Sequence, residues 1–389
     1  MTKRELFKSA FAAWSIPGIS FARKSTAYEE LGIRPVINFQ GTMTTLGASK
    51  MAPEVNSAMA EASREYVMLG ELHDTVAARL AKLCGTDSAM VTSGAAAAIA
   101  LGTYGCLTGE DSDRVRRLPD LTGMKPEAVI LKAHRNGYDH AVRSAGLKIV
   151  EAENREQLAS ALGARTAVMY YLGGTSHDWE WEQPVALEEC VKLCRAAGVP
   201  LLVDAANMLP PWDNIHKLSA LGVDLIAVSG GKHIRGPQSS GILAGRAPLI
   251  RAARMNSSPN SDSQGRGMKV NREEMIGLWM AVERYAKLDF AALDRECARQ
   301  ADYLSAEFRK LGLKTEKAPF DRTRRVHRVR VSWEPGRWKH TPEEVERLLL
   351  AGDPRIAVLR HNGVIEFTVF VNDPGDERIA ASRMREIFA

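Results

Sequence analysis

The chain has 389 residues, 45% of them hydrophobic and 25% charged, with a formal net charge of +5. This composition is ordinary for a soluble globular protein, and the length suits one large domain with a smaller one. So modest a positive charge argues against a nucleic-acid-binding protein but suits an anionic substrate or cofactor.

Residues 1–26 read as an extension. Thr2-Lys3-Arg4-Glu5-Leu6-Phe7-Lys8 followed by an apolar stretch over 10–21 has the layout of a degenerate twin-arginine export signal, with Lys3 where the first arginine would stand. Pro17 and Gly18 interrupt the stretch, so a short amphipathic helix packed on the body is the other reading. The expectation is a cytoplasmic protein, with periplasmic export as the alternative. The stretch is too short to cross a bilayer.

Arg34-Pro35 keeps the chain extended after the extension. Residues 38–49, rich in Gly and Thr, read as a loop in which Thr42 and Thr44 either contact a substrate or serve as turn residues. Apolar residues at helical spacing predict two helices over 51–84, separated at Gly70. A short strand over 88–91 leads into Thr92-Ser93-Gly94-Ala95-Ala96, which opens a helix of small residues. Backbone N–H groups at the positive end of a helix make an anion site, and small side chains let a phosphate approach. Ser93, Gly94 and Ala95 are its candidate contacts, although Ser93 is also a plain helix cap. Arg114-Val115-Arg116-Arg117 reads as a basic loop.

A strand over 128–131 runs into His134-Arg135-Asn136-Gly137-Tyr138-Asp139. Further strands at 146–150 and 166–171 flank a helix over 155–162. This alternation predicts a mostly parallel, doubly wound α/β sheet. Gly173-Gly174-Thr175-Ser176-His177 follows at the same sheet edge, so Thr175 and His177 are further candidates for cofactor or substrate contact. Trp179 and Trp181 alternate with acids and read as surface or interface residues.

Two runs carry the chemistry. Leu201-Leu202-Val203-Asp204 is an apolar strand ending in an acid, and Asp224-Leu225-Ile226-Ala227-Val228 is a second strand that delivers Ser229-Gly230-Gly231-Lys232 to its C-terminal end. Ligands of open α/β sheets sit at that edge. A lysine there that gives up its proton can form a Schiff base with an aldehyde cofactor. Pyridoxal phosphate also needs a carboxylate against its ring nitrogen, which suits Asp204. Ser229 is placed to reach the phosphate, and Arg235 to balance phosphate or substrate carboxylate charge. The polar stretch 256–270 reads as a flexible loop carrying Arg266 and Lys269, which are candidates for an anionic substrate. The five cysteines show neither a disulfide framework nor metal-ligand spacing, and no metal is expected.

Beyond a long helix from 273, the remainder predicts a small α+β domain over 290–389, with 27–289 as the large domain. Thr341-Pro342 starts a helix, Asn362-Gly363 turns a hairpin, and a helix over 377–388 ends the chain.

Taken together, Val203-Asp204-Ala205-Ala206, Ser229-Gly230-Gly231-Lys232 and Arg235-Gly236-Pro237-Gln238-Ser239-Ser240-Gly241 resemble the fold-type I pyridoxal phosphate enzymes. Asn38-Phe39-Gln40-Gly41-Thr42, Val91-Thr92-Ser93-Gly94-Ala95 and Met268-Lys269-Val270 extend the likeness over about residues 27–290. Within those enzymes the chain is similar to the branch that joins selenocysteine synthase and D-glucosaminate-6-phosphate ammonia-lyase. The resemblance implies that Lys232 is the lysine bound to pyridoxal 5'-phosphate and afterwards the acid/base. It implies that Asp204 holds the ring nitrogen protonated and that His134 stacks on the ring. Arg135, Arg235, Arg266, Lys269, Thr42 and Thr44 are then substrate candidates. The implied reaction is α-proton abstraction with β-elimination and ammonia loss from an amino acid or amino-sugar acid. An amino-acid racemase or epimerase is the alternative, and a selenocysteine-synthase-like transferase ranks below because no RNA-binding domain is visible. A homodimer or larger homo-oligomer with shared sites is expected, with no nucleic acid or membrane partner.

Overall fold

The computed structural model describes residues 26–174, 183–320, 325–334 and 336–389. The export-signal-like run, Thr175, His177, Trp179 and Trp181 lie outside the described residues. Among the described residues, no helix is long and apolar enough to cross a membrane.

The strands in chain order are β1 (Val36–Asn38), β2 (Ser88–Thr92), β3 (Glu127–Leu131), β4 (Lys148–Ala152), β5 (Thr166–Leu172), β6 (Leu201–Asp204), β7 (Leu225–Ser229) and β8 (Gly241–Gly245). After them come β9 (Lys314–Lys317), β10 (His327–Ser332), β11 (Arg355–Ala357), β12 (Leu359–His361) and β13 (Val364–Val369). Strands β2 to β8 form one seven-stranded sheet in the order β2-β8-β7-β6-β5-β3-β4. Only β8 runs against its neighbours β2 and β7, and the other pairings are parallel. The central strands are apolar except at their ends because both faces are covered, as a parallel sheet requires. Two clusters fill those faces, one around Val203, Val228 and Tyr285, the other around Leu202, Leu225 and Tyr170. The mostly parallel α/β sheet is thus the architecture expected from the alternating pattern.

Several local readings change. Gly70 lies inside the helix Leu69–Cys84 rather than at the break, and the preceding helix is Pro53–Ala62. The basic run at 114–117 is the end of a short helix, Ser112–Arg117, capped by Asp111. Its arginines then lie near a helix C-terminus, where positive charge is favoured.

A third cluster lies over the four-stranded sheet β12-β13-β10-β9 and holds Phe308, Val329, Phe367 and Met384. The turn through Asn362 (φ 49°) and Gly363 (φ 76°) joins β12 to β13. Positive φ at both turn residues is what a two-residue hairpin needs. The stretch before it does not join this hairpin: β11 pairs in parallel with β1, and Phe39 enters the third cluster. The N-terminal segment therefore packs with the C-terminal sheet, although its loop continues to the edge where Lys232 sits.

Candidate active site

Four strands end together at one edge of the large sheet. The β7–β8 connection carries Lys232, and its backbone is folded tightly. Gly230 N–H donates to Ser240 O at 2.8 Å, Arg235 N–H to Lys232 O at 3.1 Å, and Gly236 N–H to Gly230 O at 2.9 Å. A side chain on Gly230 would meet Leu278 Cδ1 at 2.6 Å, so the close return of the chain requires glycine there. Ser49 Oγ clips this loop from the N-terminal segment, donating to Gly231 O at 2.7 Å and Lys232 O at 2.6 Å. The half-buried Lys232 points its Nζ to Asn207 Oδ1 at 3.0 Å.

Asp204 ends the neighbouring strand and is 5% exposed. Ala206 N–H donates to its Oδ1 at 3.0 Å and Tyr170 OH to its Oδ2 at 3.0 Å. Burial raises the Asp204 carboxyl above its ordinary range, while the Ala206 N–H, the Lys232 charge and the Tyr170 hydroxyl pull it back. A buried acid held, among the described residues, by two donors is suited to meet a cationic ring nitrogen.

The β2–helix junction forms the third part. Gly94 has φ 91° and caps the helix Ala95–Thr108, whose first turn leaves N–H groups outside the helical ladder. Thr92 Oγ1 donates to Gly94 O at 3.0 Å. Gly241 lies against this turn: a Cβ on it would sit 2.5 Å from Gly94 C and 2.9 Å from Ala95 N. Ser93 and Ser229 are half-buried beside it, and Ser229 is in register with Gly241. An N–H cradle that any side chain on Gly241 would fill, together with a lysine and a buried acid on adjacent strands, fits pyridoxal phosphate.

His134 is 0% exposed. Leu172 N–H donates to its Nδ1 at 3.1 Å, so Nε2 carries the proton and donates to Gln183 Oε1 at 2.5 Å. The ring meets Tyr171 edge-on with centroids 4.4 Å apart. Burial pushes its pKa down to about 4. The imidazole thus ties the end of β3 to the end of β5.

The remaining candidates separate. Arg135 is committed to ion pairs, with Asp139 at 2.6 Å and with Glu151. Asp139 is 1% exposed and also holds Arg143 at 2.9 Å, because a buried carboxylate needs partners. These ion pairs compete with the substrate contact expected of Arg135. Arg235 sits at φ 60° with Nε donating to Lys50 O at 2.8 Å. Burial and the like charge of Arg284 push its pKa down, and among the described residues it makes no ion pair. Thr42 is half-buried, and Thr44 is exposed with its carbonyl accepting from Gln238 Nε2 at 3.1 Å. Arg266 is half-buried and Lys269 exposed. Their loop is pinned rather than loose: Asn256 is 0% exposed, donates through Nδ2 to Thr108 Oγ1 at 2.8 Å, and accepts Gly265 N–H at 3.0 Å.

Asn207, Tyr170, Ser49 and Gln183 were not among the sequence candidates. Asn207 had a signal, being three residues after Asp204 in the same run; the others come from distant segments. Two grooves lie at the opposite sheet edge, away from Lys232, one of about 580 Å³ around Asp74, Asp87 and Arg254 and one of about 600 Å³ around Asp87, Asp224 and Arg246. Among the described residues, no group of His, Cys, Asp and Glu could hold a metal ion.

The profile of the aminotransferase class-V family matches residues 74–339. The chain belongs to that family. It is 30% identical over 376 residues to D-glucosaminate-6-phosphate ammonia lyase of Salmonella typhimurium (strain 14028s / SGSC 2262), covering 92% of this chain and 97% of the relative. It is also 30% identical over 374 residues to 5'-C-glycyluridine monooxygenase-decarboxylase of a Streptomyces species, covering 92% and 91%. The solved structure of a D-glucosaminate-6-phosphate ammonia-lyase superposes with a TM-score of 0.80 at 29% identity, over 94% of this chain and 98% of that one. This class-V chain is an enzyme of fold type I, and its cofactor is pyridoxal phosphate.

Proposed function

We propose that the enzyme removes the α-proton of an amino acid or amino-sugar acid and expels the β-hydroxyl as water, after which hydrolysis of the product imine releases ammonia and leaves the 2-keto acid. The observation that carries this reading is the 30% identity to an ammonia lyase across 92% of this chain and 97% of the relative. When bound, pyridoxal phosphate supplies the electron sink for the charge left by α-proton removal. Lys232 is the attachment point, and its Nζ is the base that takes the α-proton. Asn207 Oδ1, 3.0 Å from Nζ, orients that amine. Asp204 faces the ring nitrogen. Gly94, Ala95, Ser93 and Ser229 bind the phosphate. His134, neutral at pH 7, acts as a brace that fixes the ends of β3 and β5 beneath the site. Arg235 is the residue we assign to the substrate's anionic group, since its half-buried charge has no ion-pair partner among the described residues.

The assay is the holoenzyme with a panel of amino acids and amino-sugar acids, D-glucosaminate 6-phosphate among them. Equimolar ammonia and 2-keto acid is the expected result. Inversion of configuration without ammonia would replace this reading by a racemase. Uptake of oxygen with release of carbon dioxide would favour the chemistry of the Streptomyces relative, which is equally identical to this chain.

We further propose a homodimer or larger homo-oligomer. Tyr66, Val67 and Met68 are 95%, 53% and 70% exposed at the corner between two helices, an apolar stretch suited to burial against a second copy. Residues 290–389 are proposed as the small domain, joined by β1 and Phe39. Light scattering of the holoenzyme tests the assembly, and a single-chain mass would refute it.

A further inference from the structure

Among the described residues, the side chain that donates to the Asp204 carboxylate is Tyr170, from the neighbouring strand. Tyr170 lies on β5, fully buried, and its hydroxyl donates to Asp204 Oδ2 at 3.0 Å. The phenol is itself held. The Asn136 side chain lies beside it and is fixed in turn by donating through Nδ2 to His134 O at 2.9 Å and by accepting Tyr138 N–H at 2.7 Å. The charges around this pair are Lys232 on the Asp204 side and Asp139 on the tyrosine side. Asp139 is itself balanced by Arg135 and Arg143.

We propose that Tyr170 is a positioning residue for the cofactor: its hydroxyl keeps the negative charge on Asp204 and thereby keeps the proton on the ring nitrogen. The inference rests on the reading that Asp204 faces that nitrogen. The physical argument is a competition for one proton. A carboxylate removed from water is a stronger base than one in water, so a buried Asp204 tends to take the proton from the ring. Each donor that stabilises the carboxylate opposes this transfer. Ala206 N–H does so at Oδ1, and Tyr170 does so at Oδ2. Burial and the Asp204 charge raise the phenol's own pKa well above the ordinary value, so it keeps its proton and can donate it to the carboxylate as the 3.0 Å contact shows. A hydrogen bond to a charged group corresponds to roughly tenfold or more in that equilibrium.

The test uses holoenzyme carrying ring-¹⁵N pyridoxal phosphate, with the ring-nitrogen chemical shift as the readout at pH 8. Tyr170→Phe removes one oxygen and leaves the aromatic packing in place. It is expected to move the shift toward the unprotonated position and to weaken cofactor retention roughly tenfold. Asp204→Asn is the reference and is expected to move the shift fully. An unchanged shift in Tyr170→Phe with a moved shift in Asp204→Asn would overturn the role of Tyr170. Unchanged shifts in both would overturn the reading of Asp204 and the inference with it. Should Tyr170→Phe not fold, 3-fluorotyrosine at position 170, a stronger donor, is expected to raise the pH at which the ring nitrogen loses its proton, and an unchanged midpoint would overturn the proposal. A merely structural tyrosine would alter the melting temperature and leave the nitrogen shift alone.

Discussion

Gly241→Ala tests the phosphate cradle through packing alone. The added methyl would sit 2.5 Å from Gly94 C, 2.8 Å from Gly94 O and 2.9 Å from Ala95 N. All three are backbone atoms, so no side chain can swing away. Carbon contacts are comfortable near about 3.5–4.0 Å, so the β2–helix turn must retreat from β8 by about 1 Å. Overpacking of this kind costs about 1–3 kcal/mol of stability. The same retreat carries the N–H groups of the first helical turn away from the phosphate, and losing one charge-assisted bond weakens binding about tenfold or more. Urea unfolding of the apoprotein and titration with pyridoxal phosphate would read both effects. Gly245→Ala is the control: it crowds the Asp224 carbonyl and Leu225 Cα at the far end of β8. With φ 152° and Asp224 O nearer the added methyl than any atom is at Gly241, it is expected to destabilise the fold at least as much while leaving cofactor affinity unchanged. If Gly241→Ala lowered stability but bound the cofactor as wild type, the phosphate would not lie at this turn and the reasoning would fail.

Other outcomes follow from the buried groups. The Asp204 carboxyl is raised by burial, so its contribution to apoprotein stability is present at acid pH and lost as pH rises through its folded-state value. Asp204→Asn should therefore melt higher than wild type as apoprotein near neutral pH, with the difference shrinking toward pH 4. Equal melting temperatures at both ends would contradict this. For His134 the sign is opposite. Its pKa is pushed down to about 4, so the stability it gives is present above the ordinary histidine value and lost as pH falls toward 4. The full effect is about 3 kcal/mol. His134→Gln should flatten the wild-type stability loss between pH 6.5 and 4, and an unchanged slope would remove His134 as its source. Asn207→Ala should keep the cofactor attached to Lys232 but lower turnover by about tenfold or more through the lost orientation of Nζ. Unaltered turnover would show that Asn207 is incidental.

The sequence reveals the large sheet because each central strand is a short apolar run closed by turn residues, as in Leu201–Asp204 and Leu225–Ser229. It reveals Lys232 and Asp204 because strand ends in such a sheet converge on one edge. It does not reveal which arginine is free. Arg135 and Arg235 look alike in the chain, yet Arg135 is consumed by Asp139, four residues on, while Arg235 makes no ion pair among the described residues and feels Asp373 and Glu54 only from a distance. The i,i+4 spacing to Asp139 was a readable clue. Tyr170 reads as one more apolar strand position, since its contact with Asp204 depends on the parallel register of β5 and β6. The reach of the N-terminal segment into the C-terminal sheet is also hidden. Val36–Asn38 and Arg355–Ala357 pair across more than 300 residues, and neither short run carries a signal that names its partner.

The central claim is a covalent one, and its most direct measurement is chemical. Holoenzyme reduced with borohydride and digested should yield a single pyridoxyl-modified peptide, with the added mass on Lys232. A tag on another lysine, or no tag on a protein that still holds the cofactor, would contradict the account.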